Sequence, residues 1–326
     1  MSGREKDSPE ALAAAAKAAA ESGSWWTFTS ADYYMAGSKY EQAAKGFFAK
    51  GDYQSAYKCW QEAARNRDSD GDTFGSGRSW EEAAKLGSDK LKKWQDAVKH
   101  LDHAVEKYRS ARKDEASCRA SLRKIDILEK HSAGARDMEE AFQSAIEVHE
   151  DFEKWYPLGD LLTRFENFLT LRLVSSKDSS VETIYKVLDR HVVVQANLKS
   201  GAMVQLMSKV VVCLALTQDI VRVKQFLDEA TNWDNSLLRG PNFLDISRRM
   251  LEAYEDRDVE ALDKIKRRQT MTMLPLEICK LAQKMTMVGG GKVDAALADF
   301  VDSKGAAVLG DGGQSGTDEE GLPDLS

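Results

Sequence analysis

Five short stretches of this chain look like one helix start repeated. They read Tyr53-Gln-Ser-Ala-Tyr, Trp94-Gln-Asp-Ala-Val, Met138-Glu-Glu-Ala-Phe, Val181-Glu-Thr-Ile-Tyr and, more loosely, Ile220-Val-Arg-Val-Lys. Their spacing is about 40 residues, the period of helical-hairpin repeats. A single hairpin cannot cover its own apolar face, so neighbouring hairpins must stack and bury one continuous core. Proline agrees with this reading. Only five occur, at 9, 157, 241, 275 and 323, so long stretches carry no helix breaker.

Each repeated helix is preceded by a partner. Between Tyr33 and Lys50, apolar or small residues at 36, 40, 43, 44, 47 and 48 follow helical spacing, and Gly51-Asp52 ends the run before a second helix from Tyr53 to about Arg65. The small alanines inside these helices allow close approach of two axes. The pattern resembles tetratricopeptide repeats, although the closing proline is mostly missing and the spacing is longer and less regular. The expected fold is all-α: a sheet of tetratricopeptide-like hairpins forming an α-solenoid, capped by a C-terminal helical bundle. The expected divisions are 1–30, an N-terminal helix and aromatic loop; 31–240, the solenoid; 241–302, the bundle; and 303–326, a disordered acidic tail.

Charge narrows the function. The chain carries a net charge of −7, which argues against nucleic acid, because phosphate binding needs concentrated lysine and arginine. From Asp302 onward six acids face one base, a net of −5, so the body carries only about −2. Four cysteines, at 59, 118, 213 and 279, show no CxxC spacing. No secretory leader and no run of roughly 20 apolar residues is evident. These features together lead us to expect a cytosolic protein with buried, unbridged thiols.

No catalytic motif, cofactor site or metal site is read here. The five histidines (100, 103, 131, 149, 191) fall on expected helices and read as solvated surface residues. Gly289–Lys292 lacks the spacing of a phosphate loop and reads as a helix terminator. Asp70, Asp72, Gly75 and Glu81 fit positions 1, 3, 6 and 12 of a calcium loop, but Phe74 occupies a ligand position. That stretch reads instead as a flexible inter-helix loop.

Two segments suggest binding. Trp25, Trp26 and Phe28 lie between small polar residues; they either pack on the first repeat or meet a membrane interface, where such rings insert shallowly. The end of the chain, Thr317 to Ser326, combines Asp318, Glu319, Glu320 and Asp324 with Leu322 and Leu325. An acidic solubility tail has no use for leucines, so this reads as a short docking motif.

The order of these features resembles the soluble NSF attachment proteins, and the gamma branch most closely. The aromatic loop at 25–28, the Tyr40-Glu-Gln-Ala-Ala-Lys and Tyr53-Gln-Ser-Ala-Tyr-Lys pair, the block Met250-Leu-Glu-Ala-Tyr-Glu-Asp-Arg-Asp, and Val288-Gly-Gly-Gly before an acidic tail carry the match. The resemblance implies a curved sheet of hairpins that binds SNARE complexes (syntaxin-type) laterally and recruits and stimulates the hexameric AAA+ ATPase NSF, without being an enzyme itself. It implies that Trp25, Trp26 and Phe28 assist peripheral membrane attachment, and that Asp318, Glu319, Glu320, Asp324 and Leu325 engage the ATPase. For SNARE contact it implies cations near the alpha-branch positions. Arg112 fills one, Cys118, Gly159 and Thr163 stand at others, and Arg119, Arg123, Lys124 and Arg164 lie close by. A generic helical-repeat scaffold with no link to NSF is the alternative.

Overall fold

A computed structural model describes residues 8–22, 31–175 and 181–287. Among the described residues there are 14 α-helices and no strand. The helices are α1 (Pro9–Ala20), α2 (Tyr33–Ala49), α3 (Tyr53–Ser69), α4 (Thr73–Asp89), α5 (Trp94–Ser110), α6 (Asp114–Lys130), α7 (Ala135–Asp151), α8 (Trp155–Ser175), α9 (Val181–Asn197), α10 (Met203–Leu216), α11 (Ile220–Thr231), α12 (Phe243–Asp256), α13 (Val259–Lys266) and α14 (Leu276–Lys284). A short 3-10 turn, Gln269–Met273, joins the last two. Successive helices pack as hairpins, giving the expected α-solenoid.

Local chemistry sets the rhythm. Asp32, Asp52 and Asp72, each twenty residues after the last, cap α2, α3 and α4. Each carboxylate accepts a backbone N–H three residues on, at 2.8 to 3.0 Å, which satisfies one of the donors a helix start leaves open. The turns before them are closed by a residue in the left-handed region: Gly51 at φ 80° and Gly71 at φ 83°. The same place is taken farther along by Lys92, Arg112, Ser132 and Glu153, at φ 48° to 55°. A side chain there costs about 1 kcal/mol, so the packed hairpins on either side hold the turn.

The run from Asp70 to Glu81 is not a flexible loop. Asp70 closes α3 and α4 begins at Thr73, with Gly75, Ser76 and Gly77 buried. These small residues bring helices together. A Cβ on Gly77 would lie 2.9 Å from a Tyr108 ring carbon. Asp72 is consumed by its cap and by Arg67 at 2.6 Å, and Glu81 by Tyr108 and Arg119.

The core changes along the stack. Around α2 to α5 it consists largely of fully buried alanines (43, 44, 56, 63, 64, 83, 84, 97, 104) set between Tyr57, Trp60, Trp80 and Tyr108. From α7 onward, Phe142, Leu158, Leu162, Phe165, Leu188, Leu206 and Val210 belong to one apolar cluster that also takes in Phe243, Met250 and Ile278. Helix α10 is buried on nearly every side. The chain then folds back, and the backbone N–H of Glu277 at the start of α14 donates to Asn167 Oδ1 on α8 at 2.9 Å.

Candidate partner-binding face

Long-range ion pairs divide the helices into two layers. In one layer Arg78 on α4 reaches Glu41 on α2 at 2.8 Å, Arg119 on α6 reaches Glu81 on α4 at 3.0 Å, and Arg164 on α8 reaches Asp126 and Glu129 on α6 at 2.8 and 2.6 Å. In the other, Lys107 on α5 meets Asp68 on α3 at 2.6 Å. Arg190 on α9 pairs with Glu150 on α7, and Arg222 on α11 with Glu182 on α9. Each cation grips a carboxylate about one hairpin away, so the repeat period reappears as a charge ladder.

Four of the five cations expected at a partner site belong to the α2–α4–α6–α8 layer. Arg119, Arg123 and Lys124 sit on α6 and Arg164 on α8. Arg123 meets Asp89 at 3.7 Å, and Lys124 meets Asp102 of α5 at 2.5 Å with its side chain largely covered. Arg119 is the most open, 62% exposed despite its pair with Glu81. The fifth, Arg112, stands apart in the turn between α5 and α6, with its guanidinium 5.9 Å from the Phe152 ring centroid.

Arg119 and Arg123 also line a cleft of about 760 Å³ between α6 and α8, together with Leu122 and Pro157. A second cleft, about 480 Å³, opens between α2 and α4 and is lined by Phe48, Trp60 and Arg78. Arg78 was not singled out from sequence. Its signal was present all the same, since Glu41 and Glu81 lie forty residues apart and Arg78 and Arg119 forty-one.

The electrostatics suit exchange. Burial pushes the Glu81 carboxyl up, but hydrogen bonds from Arg119 and Tyr108 outweigh it and leave it below the ordinary glutamate value. Partly exposed pairs of this kind contribute roughly 0–1 kcal/mol each. A partner carboxylate can therefore share Arg119 or Arg164 at little cost to the fold.

The histidines correct the surface reading. His149 and His191 are buried. Burial holds the His149 ring below its ordinary pKa, and its Nδ1 lies 2.7 Å from the Ala145 carbonyl oxygen, so the neutral ring donates there. His100 lies between Tyr57 and Gln61, at 2.8 and 2.9 Å, and stacks on Trp80; burial takes its pKa down to about 4. All four cysteines are buried and unbridged, as expected. Among the described residues no group of three or more His, Cys, Asp or Glu converges as a metal site, and no helix is long and apolar enough to cross a membrane.

A family model described as "Soluble NSF attachment protein, SNAP" matches residues 6–269. The chain belongs to the SNAP family. SNAP proteins are adaptors for the NSF ATPase. Residues 25–28 of this SNAP fall within the match, while 318–325 lie beyond its end; both segments lie outside the described residues. No curated protein shows significant sequence similarity to the chain. Among solved structures, a "Circular tandem repeat protein with novel repeat topology and enhanced subunit contact surfaces" is 12% identical, covering 92% of this chain and 76% of its own, with a TM-score of 0.37.

Proposed function

We propose that this SNAP, read as a gamma-branch member, binds assembled SNARE complexes of the syntaxin type and presents them to a hexameric NSF-type AAA+ ATPase, which it stimulates. Membership of the family over residues 6–269 is the observation that carries this reading. The SNARE bundle is assigned to the α2–α4–α6–α8 layer, where the Arg119 side chain is exposed and that of Arg164 partly exposed beside their own carboxylates. Contact by shared ion pairs is lateral, salt-dependent and readily reversed. Arg123 and Lys124, more enclosed, position the layer; Arg112 marks its edge.

Trp25, Trp26 and Phe28 are assigned to shallow contact with lipid, which places the adaptor peripherally on cytoplasmic membranes and raises its local concentration there. Asp318, Glu319, Glu320, Asp324 and Leu325 are assigned to the ATPase. The divisions at 30, 240 and 302 then separate lipid, SNARE and ATPase contact. No catalytic residue, cofactor or nucleic acid enters the scheme.

Steady-state ATP hydrolysis by NSF tests it, with the adaptor immobilised or bound to a SNARE complex. A rise that disappears with Leu325→Ala, while SNARE binding persists, supports the assignment. No rise at any concentration would leave a helical scaffold with another partner. Arg119→Glu with Arg164→Glu is expected to weaken SNARE capture by roughly tenfold, the equivalent of two lost pairs of modest strength. Liposome co-sedimentation of Trp25→Ser with Trp26→Ser tests the lipid assignment, with a loss expected.

A further inference from the structure

Among the described residues, the charge ladder leaves a basic corner without ion pairs. At the end of α13, Lys264, Arg267 and Arg268 are exposed, and none has an ion pair among the described residues, while Asp263 is held by Lys266 at 2.8 Å. Glu260 stands one turn earlier on the same helix. Over residues 260–284 six cations face three acids, a net of +3. Just after the basic run, Met273 and Leu276 are 55% and 59% exposed. Cations beside exposed apolar side chains make a surface suited to a segment carrying both carboxylates and leucines.

The chain itself supplies such a segment close at hand. The last described residues run past this corner: Lys266 Nζ donates to the Met285 carbonyl at 3.0 Å and the Tyr254 hydroxyl to the Thr286 carbonyl at 3.4 Å. Beyond Met287, residues 288–317 lead to Asp318, Glu319 and Glu320, followed by Leu322, Asp324 and Leu325. Those thirty residues span at most roughly 100 Å when extended, so reach does not prevent a return to the corner. The two surfaces are opposite in charge, −5 from Asp302 onward against +3, and each ends in a pair of apolar side chains. Because both belong to one chain, encounter needs no second molecule.

We infer that the acidic segment 318–325 docks in cis on the corner formed by Lys264, Arg267, Arg268, Met273 and Leu276. The carboxylates meet the cations and the leucines cover Met273 and Leu276. In this state Asp324 and Leu325 are withheld from any other partner, and an acidic or apolar competitor at the corner releases them. The docking stands independently of the ATPase reading; its regulatory consequence rests on that reading.

Carbodiimide cross-linking of the full-length protein at low micromolar concentration tests it, with the linked peptides mapped by mass spectrometry. Lys264 is expected to dominate the links to Asp318, Glu319 and Glu320, well above Lys280 and Lys284, which stand seven and three residues before Met287 in the chain. Arg267→Glu with Arg268→Glu leaves Lys264 as the reporter and should cut its yield several-fold; Met273→Ser with Leu276→Ser should do the same. All four side chains are exposed or nearly so, and an unchanged melting curve checks the fold. Adding Asp318→Lys and Glu319→Lys to the arginine reversal should restore links, now from the tail lysines to the new carboxylates. Links spread evenly over the lysines, or unchanged by the reversal, would overturn the inference. So would links that join isotopically light to heavy chains in a mixture, which assign the segment to a second copy. NSF is absent throughout, so failure here is separable from failure of the ATPase assignment.

Discussion

Between α2 and α5 the helices meet through alanine and large rings, whereas from α7 onward they meet through leucine, valine and phenylalanine. The contrast goes with a change in regularity. Left-handed turns recur every twenty or twenty-one residues from Gly51 to Glu153, through the first region and on to the end of α7; beyond that the helices vary from 8 to 21 residues. Interaxial distance depends on the side chains at the contact. Alanine permits one close spacing that can be repeated, while a mixture of larger side chains fills each gap differently. An alanine contact also buries little area, so the first region leans on close approach, caps and charge pairs, and the second on apolar burial.

The sharpest way to break this contrast is to remove a large side chain from the second region. Phe142 is fully buried and stacks on Phe165 with ring centroids 4.7 Å apart. Phe142→Ala should lower stability by about 3–5 kcal/mol in denaturant unfolding; a loss below 1 kcal/mol would mean that this core is not the main apolar store. The first region should instead be sensitive to added volume. Ala84→Leu, at a position with no exposed surface, is expected to cost about 1–3 kcal/mol, with faster amide exchange concentrated in α2 to α5. A neutral effect would contradict close alanine packing.

Acidity offers a subtler comparison. Glu81, in the first region, is held below its ordinary value near 4.5 despite burial, so its ionised form stabilises the fold above that pH and the contribution is lost as pH falls through the lowered pKa. Glu166, fully buried 2.7 Å from His191 Nδ1, is pushed the other way by burial, only partly offset by the His191 hydrogen bond. The folded chain then holds that proton more tightly than the unfolded one. Stability from Glu166 is present below the ordinary value and declines as pH rises through the raised pKa. Glu166→Gln should flatten that decline and Glu81→Gln should not; thermal unfolding across pH 4.5 to 7.5 reads the difference.

The smallest effect concerns Arg112. If its φ of 53° is a strain tolerated by the turn, Arg112→Gly should leave stability unchanged or raise it by up to about 1 kcal/mol. A clear loss would assign Arg112 a structural contact stronger than its stacking on Phe152. The same variant, retaining its fold, isolates the contribution of that charge to the proposed SNARE capture.

Legibility follows the same division. The hairpin period was readable because Ala and aromatic residues recur at fixed intervals where alanine packing demands them. The first turns were readable at Gly51; those at Lys92, Arg112, Ser132 and Glu153 were not, because tertiary packing holds ordinary residues in a conformation that glycine usually announces. The stretch 70–81 was misread for the opposite reason, as its glycines serve close approach inside a helix and not a loop. Among the candidate cations, residue type and position were accessible. Most of their partners were not, since those lie a whole hairpin away, although the forty-residue recurrence of Glu41 and Glu81 would have located Arg78.

The fold-back of α14 onto α8 has a mechanical side. In an open stack, tension applied at the last helix would peel hairpins away in order, beginning with the terminal one. Here the Glu277 N–H is tied to Asn167, and Ile278 shares its apolar cluster with Phe165 and Leu206. A pull arriving through Met287 therefore enters the middle of the chain, in parallel through α8 and α10. The contacts then yield together rather than one after another, and the adaptor can carry load as a lever instead of unzipping as a strip.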